Sequence, residues 1–195
     1  MRLLMARPKE FDPDVALDKA MHLFWSKGYC DTSIRDLVEH TGVNYYGLYD
    51  VFDSKHGLFV ASLDRYARLF ADNVLSQLNN RGTPRQRIRS TFDALLKLLK
   101  SNNTHEGCMM CNAMVELAPH DPDIAAVVSE NRNRITKALA TVLAETYGTK
   151  AKPLNIKASA EFLATTVFSV GLMLRAGAPV AQARRYIDTA LSILV

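Results

Sequence analysis

Two groups of residues have types and spacing that could do chemistry. The first lies between Thr32 and Phe52, where two short apolar-periodic runs flank the turn Thr41-Gly42-Val43. The second run carries Asn44, Tyr45, Tyr46 and Tyr49 on the side away from its apolar stripe. A helix in a plain bundle normally fills its outer face with Lys, Glu and Gln. Three tyrosines and an asparagine instead offer donors for phosphate oxygens and apolar edges for thymine methyl groups. With a glycine corner between two short helices, the stretch reads as a helix-turn-helix whose partner is double-stranded DNA.

The second group is Cys108 and Cys111. Cys108 follows Gly107 at the expected start of a helix, where free N–H groups favour a thiolate. With His105 nearby, such a thiol would oxidise or alkylate first. The opposing reading is that cysteines three apart share a helix face and serve as small core residues. A zinc set of His105, Cys108, Cys111 and His120 lacks paired-knuckle spacing, so no metal is expected. Cys30 reads as structural. Glu116, His120, Asp121 and Glu161 are the acid/base candidates, and no spacing among them assembles a catalytic arrangement. Pro119 also interrupts the helix that would align Glu116 with His120. Neither an enzyme nor a cofactor is expected.

These groups need elements to hold them. Glycine and proline fall between apolar runs of helical period, and no segment alternates as a strand does. About nine helices follow, making an all-α chain. Asp12 caps the first (14–27), Pro13 opens it, Leu17, Ala20, Met21 and Phe24 form its inner stripe, and Gly28 ends it. Thr32 or Ser33 caps the second, with Ile34, Leu37 and Val38 inward. The third (44–52) buries Leu48, Val51 and Phe52. Gly47 in so short a helix costs about 1 kcal/mol against Ala, which implies a close approach.

Ser54 caps a fourth helix (55–78) with Phe59, Leu63, Tyr66, Phe70 and Val74 inward. Thr83-Pro84 opens a fifth with stripe Ile88, Phe92, Leu95, Leu96 and Leu99. A sixth spans 108–117. Asp121-Pro122 opens a seventh that ends at Gly148. After a linker around Pro153, an eighth runs 155–175, and Pro179 opens a ninth with stripe Val180, Ile187, Leu191 and Leu194.

Composition sets limits. Of 195 residues, 48% are hydrophobic and 23% charged, which suits a globular chain and argues against disorder. The opening Met1–Met5 stretch lacks the apolar run of a secretory signal, and Met5 offers a second start. No uninterrupted apolar run approaches the roughly 18 residues of a spanning helix, so no membrane partner is expected. Three cysteines without a leader suit a reducing, cytoplasmic setting. The net charge of +4 is unevenly placed. Residues 1–65 hold eight Lys/Arg against ten Asp/Glu, so DNA binding must rest on placed groups and not on bulk charge.

The residues Thr32-Ser-Ile-Arg-Asp-Leu37, Gly42-Val-Asn44, Gly47-Leu-Tyr49 and Phe52-Asp-Ser-Lys55 resemble the N-terminal domain of TetR-type transcriptional regulators. Phe24, Gly28-Tyr29 and Leu58 fit the same pattern, and the resemblance covers residues 6–65. It implies a DNA-binding domain over 6–55 and a helical effector-binding and dimerisation domain over 56–195. It also implies a homodimer that sets two recognition helices in successive major grooves of a palindromic operator. On that footing Asn44, Tyr45 and Tyr46 are assigned to base edges, and Thr32, Tyr49 and Lys55 to phosphates. Ser33 and Gly47 complete the surface, and Arg7 and Lys9 form an arm. Arg35 either lies beside the bases or pairs with Asp31 or Glu39. Asn44 stands where Ser is usual, and Tyr45-Tyr46 replaces smaller or basic residues, so an operator sequence does not transfer.

For the remainder, the resemblance implies a repressor released by a small molecule, with a dimer interface on the last two helices. Ala158, Ala160, Ala164, Ser169 and Gly171 would permit close helix approach, or else pack internally. Phe92, Leu96, Met109, Met110, Met114, Val115, Phe162, Phe168 and Met173 could line an apolar effector cavity. Thiol modification at Cys108 and Cys111 is the alternative signal.

Overall fold

The computed structural model describes residues 11–100, 106–147 and 153–192. Expectations placed on Arg7, Lys9, His105, Gly148 and Leu194 lie outside them. Among the described residues there are nine α-helices and no strands. The chain divides into two compact units, Met1–Arg65 and Tyr66–Val195, with the boundary inside the fourth helix.

The first unit holds α1 (Pro13–Lys27), α2 (Ile34–Thr41), α3 (Tyr45–Phe52) and the start of α4 (Lys55–Asn73). Each helix begins where a side chain takes up its free N–H groups. Asp12 accepts from the amides of Asp14 and Val15, Ser33 from Asp36, Asn44 from Gly47, and Ser54 from Gly57. Gly28 and Gly42 end α1 and α2 at φ 89° and 76°. In α1 the buried side chains are Ala16, Ala20, Met21, Phe24 and Trp25, whereas Leu17 is only half-buried. The inner stripe therefore sits slightly round from the expected one. In α2 and α3 only Leu37 and Leu48 among the expected apolar positions are fully buried; Ile34, Val38, Val51 and Phe52 sit at the margin.

The aromatic centre of this unit is a triangle. Phe24 meets Phe59 edge-on at 5.0 Å, and Tyr29 lies 4.9 Å from Phe59 and 6.2 Å from Phe24. Ion pairs brace its rim. Arg65 grips Asp18 through two bonds of 2.8 and 2.7 Å, joining α4 to α1. Lys27 lies 3.0 Å from Asp36, and Lys19 donates to the Thr41 carbonyl at 3.1 Å, joining α1 to α2.

The corner between α3 and α4 is unusually tight. Asp53 adopts φ 63° and ψ −41°, and the Ser54 amide donates to the Phe52 carbonyl at 2.7 Å. That is a three-residue turn of the rare, strained hand. The Phe52 carbonyl then lies 2.1 Å from where a Cβ on Gly57 would stand, so only glycine fits there.

In the second unit α4 stops at Asn73, short of the expected end near Leu78, because the chain tightens into a 3₁₀ turn, Leu75–Asn79. Then come α5 (Pro84–Lys100), α6 (Met109–Glu116), α7 (Pro122–Tyr147), α8 (Pro153–Arg175) and α9 (Val180–Ser192). Thr83 and Gln86 exchange side-chain-to-backbone bonds to start α5, and Asp121 accepts from two amides to start α7. Pro153 itself opens α8, two residues before the expected Asn155. Two ion pairs fasten α9 to α5, Arg89–Asp188 at 2.5 Å and Arg184–Asp93 at 2.9 Å.

Over Asn155–Arg175 the mean hydropathy reaches 1.3, long and apolar enough by those measures to span a bilayer. No uninterrupted apolar run marks this helix, because Thr, Ser and Gly dilute the pattern. Its inner side, with Leu163, Val167, Val170 and Leu174, is buried among the other helices of the unit.

Candidate nucleic-acid interface

Gly42 makes the corner between α2 and α3, its amide donating to the Val38 carbonyl at 3.0 Å, while Val43 is buried behind it. Leu48 is completely enclosed, which fixes α3 with its opposite side outward. On that side Tyr46 is 82% exposed and Tyr45 44%, uncommon values for large aromatic side chains. The three rings support one another. Tyr45 packs against Tyr49 at 4.3 Å and meets Tyr46 edge-on at 5.5 Å.

Asn44 is the N-cap of α3. Its side-chain oxygen accepts from the Gly47 amide at 2.8 Å, which leaves only its NH2 group to address a base or phosphate. Gly47 does have the close approach expected of it: an added Cβ would lie 3.1 Å from both Phe11 and Val43. Ser33 is exposed but already engaged, since it forms a reciprocal cap with Asp36. The Ser33 hydroxyl and amide, followed by Lys27, hold the Asp36 carboxyl well below the usual carboxylate range. Arg35 is exposed and pairs with neither Asp31 nor Glu39 among the described residues.

Thr32 requires a correction. It is 0% exposed, and its hydroxyl donates to the Gly28 carbonyl at 2.6 Å, tying the loop to the end of α1. A buried, satisfied hydroxyl does not reach a phosphate. A threonine just before a helix cap looks the same in sequence whether it points out or in.

Lys55 begins α4 with its ammonium 4.1 Å from the centroid of the Tyr29 ring. The cation is thereby held near the free N–H groups of the helix start, a place that favours an anion. Tyr29 and Arg65 were not recognised as contributors from sequence. Both act across elements distant in the chain, and no periodicity announces such contacts.

In the second unit, Phe92, Leu96, Met109 and Met110 are fully buried and Phe168 nearly so, while Met114 and Met173 are half-buried. Val115 (65% exposed) and Phe162 (43%) face outward and do not belong to an interior cavity. One surface cleft of this unit is lined by Asp72, Asn73, Gln77, Ser90, Asp93 and Lys97 together with Ala94 and Leu98, a mixed set that shares no residue with the expected apolar one. Ala160, Ala164 and Gly171 are buried within the unit, whereas Ala158 and Ser169 reach the outer side of α8. Cys108 and Cys111 are both buried and Cys30 is exposed.

Comparisons with known proteins agree with this architecture. Residues 16–62 match the family described as bacterial regulatory proteins, tetR family. Residues 84–194 match the tetracyclin repressor-like C-terminal domain. The HTH-type transcriptional repressor ComR of Escherichia coli (strain K12) is 35% identical over 190 residues, covering 96% of this chain and 90% of that protein. An uncharacterized HTH-type transcriptional regulator of Bacillus subtilis (strain 168), YezE, is 27% identical over 193 residues, 97% of this chain and all of its own. Among solved structures, a cysteine mutant of the TetR family regulator CifR, complexed with a 26-base-pair double-strand operator, superposes with a TM-score of 0.84. Its identity is 22%, over 96% of this chain and 98% of that one, so the likeness is one of fold. With both of its units matched, the chain belongs to the tetR family of bacterial regulatory proteins.

Proposed function

We propose that this chain is a DNA-binding transcriptional repressor that holds a palindromic operator as a cytoplasmic homodimer and releases it when a small molecule binds the second unit. The observation that carries the DNA reading is the outward cluster of Tyr45, Tyr46 and Tyr49 on a helix pinned by Leu48, beside the Lys55-bearing start of α4. Tyr45, Tyr46 and the Asn44 amide read base edges. Tyr49, Lys55, Arg35 and backbone amides near Ser33 hold phosphates. The operator complex described for CifR supports this partner.

Dimerisation is supported by an exposed row on α8. Ala158, Phe162, Thr165, Ser169 and Leu172 follow one another at alternating four- and three-residue steps, and all but half-buried Ser169 are exposed. That spacing is the seam of a helix that packs on another helix. On α9, Tyr186 is also exposed, at 37%. The effector contacts proposed are Phe92, Leu96, Met109, Met110, Met114, Phe168 and Met173, where flexible methionines can repack around an apolar guest. A guest acts only through its different affinity for the DNA-holding and DNA-releasing states.

Selection of bound duplexes from a random pool tests the reading. Recovery of an inverted repeat with half-sites about one helical turn apart is expected. Recovery of no common sequence sinks it. Light scattering of Leu172→Arg beside the parent chain tests the seam, with monomer expected for the variant and dimer for the parent.

A further inference from the structure

Cys108-Met-Met-Cys111 straddles the first turn of α6. Cys108 is the cap residue, extended at φ −99° and ψ 120°, and no side chain caps this helix. Its sulfur accepts from the Tyr66 hydroxyl at 3.4 Å, and Tyr66 is wholly enclosed, so the O–H keeps its proton and points at the sulfur. Cys111 comes within reach of two acceptors, the Cys108 sulfur and the Phe168 carbonyl at 3.4 Å. Its thiol has one proton to place. While Cys108 is a thiol that proton suits the carbonyl; once Cys108 is a thiolate it suits the sulfur.

The two cysteines therefore differ in kind. The Cys111 thiol, the Tyr66 hydroxyl and the amides of Met110 and Cys111 together draw Cys108 below the ordinary thiol range against the opposing effect of burial. Its bond to Cys108 and its own burial push Cys111 far up. A first cysteine favoured as thiolate at a helix N-terminus and a second held protonated behind it is the polarity of a redox-active Cys-x-x-Cys pair. Closure needs a local shift of the two residues toward each other. Helix positions three apart bring Cβ atoms to about 5–6 Å, and a disulfide needs about 3.5–4.5 Å. Cys108 lies outside the regular helix but is enclosed, so closure must shift the turn that carries it. The Cys108 Cβ lies 2.6 Å from where a Cβ on Gly171 would stand, so α8 approaches this turn only because residue 171 has no side chain.

We propose that Cys108 and Cys111 form a dithiol couple oxidised by hydrogen peroxide, in which Cys108 is attacked first and Cys111 resolves it to a disulfide. The Cys108 thiolate attacks one peroxide oxygen. The S–O bond forms, the O–O bond breaks, and the leaving hydroxide takes a proton to become water. The Cys111 sulfur then attacks Cys108; the S–S bond forms, the S–O bond breaks, and the departing hydroxide leaves as water with the Cys111 proton. In sum, two thiols and one peroxide give one disulfide and two waters, and an external dithiol reverses it. Tyr66 is a positioning residue that favours the thiolate through its hydrogen bond.

Closure removes the thiolate that Tyr66 addresses and the S–H that the Phe168 carbonyl accepts, so α4 and α8 each lose a partner for a buried polar group. Both helices then settle differently around α6. That this lowers operator affinity rests on the repressor reading above; the thiol chemistry does not.

The test uses the full chain with Cys30→Ser, reduced, then treated with one equivalent of hydrogen peroxide. Isotope-coded alkylation after denaturation reports each thiol. A Cys108–Cys111 disulfide, reversed by dithiothreitol, is expected. With Cys111→Ser added, the reaction stops at a Cys108 sulfenic acid that dimedone traps. Tyr66→Phe should slow oxidation at neutral pH by roughly threefold to tenfold and move the midpoint of the rate–pH curve upward. Both thiols surviving peroxide, or trapping on Cys111 in place of Cys108, overturns the couple; an unmoved pH curve in Tyr66→Phe overturns the role of Tyr66. Operator titrations then separate the two readings. Unchanged affinity of the disulfide form contradicts the switch, whereas failure of the reduced form to bind any selected duplex counts against the repressor reading.

Discussion

The ammonium of Lys55 stands 4.1 Å over the ring of Tyr29, and Tyr29 in turn packs on Phe24 and Phe59. The cation at the start of α4 is thus held by the aromatic centre of the first unit, and its position depends on that centre. Lys55→Ala should reduce the slope of log affinity against log salt by about 1 and weaken binding evenly across duplex sequences. Tyr29→Leu should keep the slope but weaken binding about threefold to tenfold, since the charge remains and only its placement is lost. Fluorescence anisotropy over a series of salt concentrations separates the two.

The corner at Asp53 makes Gly57 and Gly47 unequal. At Gly57 a methyl group would strike a backbone carbonyl that cannot yield, so Gly57→Ala should cost about 3 kcal/mol or more. At Gly47 the obstacles are side chains of Phe11, Val43 and Asn44. There the helix-propensity gain of up to about 1 kcal/mol offsets part of an overpacking cost of about 1–3 kcal/mol. Gly47→Ala should therefore fall near 1 kcal/mol. Urea unfolding of both variants checks the order.

Asn44 has two duties that substitution can separate. Asn44→Ala removes the cap of α3 and should destabilise by about 1 kcal/mol. Asn44→Asp keeps the cap oxygen, so stability should hold, but it replaces the outward NH2 donor with a second acceptor. Loss of operator preference in the stable Asn44→Asp protein would show that the amide is used for recognition.

Asp36 supplies a pH dependence. Its folded value lies below the ordinary carboxylate value because Ser33 and Lys27 favour the charged form. Stability from this group is therefore complete above the unfolded carboxylate value and is lost as pH falls toward the folded one. The difference in unfolding midpoint between the parent chain and Asp36→Asn should be largest near neutral pH and shrink on acidification. A gap that widens as pH falls would contradict the capping arrangement.

The helices and their starts were legible in sequence, because caps, prolines and terminal glycines are local signals. Asp12, Ser54, Thr83 and Asp121 each cap the helix they were expected to cap. What escaped was set by tertiary packing. The inner stripe of α1 includes Ala16 and Trp25, which the period alone does not specify. Thr32 turned inward because a carbonyl at the end of α1 was waiting for it. Small residues of α8 were visible as a group, but Ala160, Ala164 and Gly171 serve internal packing, and the exposed row containing Phe162 and Leu172 emerges only once one side of the helix is covered. The two cysteines were legible as a pair, but the tyrosine that distinguishes them lies on another helix.

Recognition by the tyrosine face of α3 is tested most directly by titrating Tyr45→Ala, Tyr46→Ala and Tyr49→Phe against a selected duplex and its single-base variants. The first two should change the order of preference among variants, with a loss of about 1–3 kcal/mol confined to the bases they meet. Tyr49→Phe should weaken every duplex alike. Equal, sequence-independent effects of all three, or no effect of any, would contradict the assignment of α3 as the helix that reads DNA.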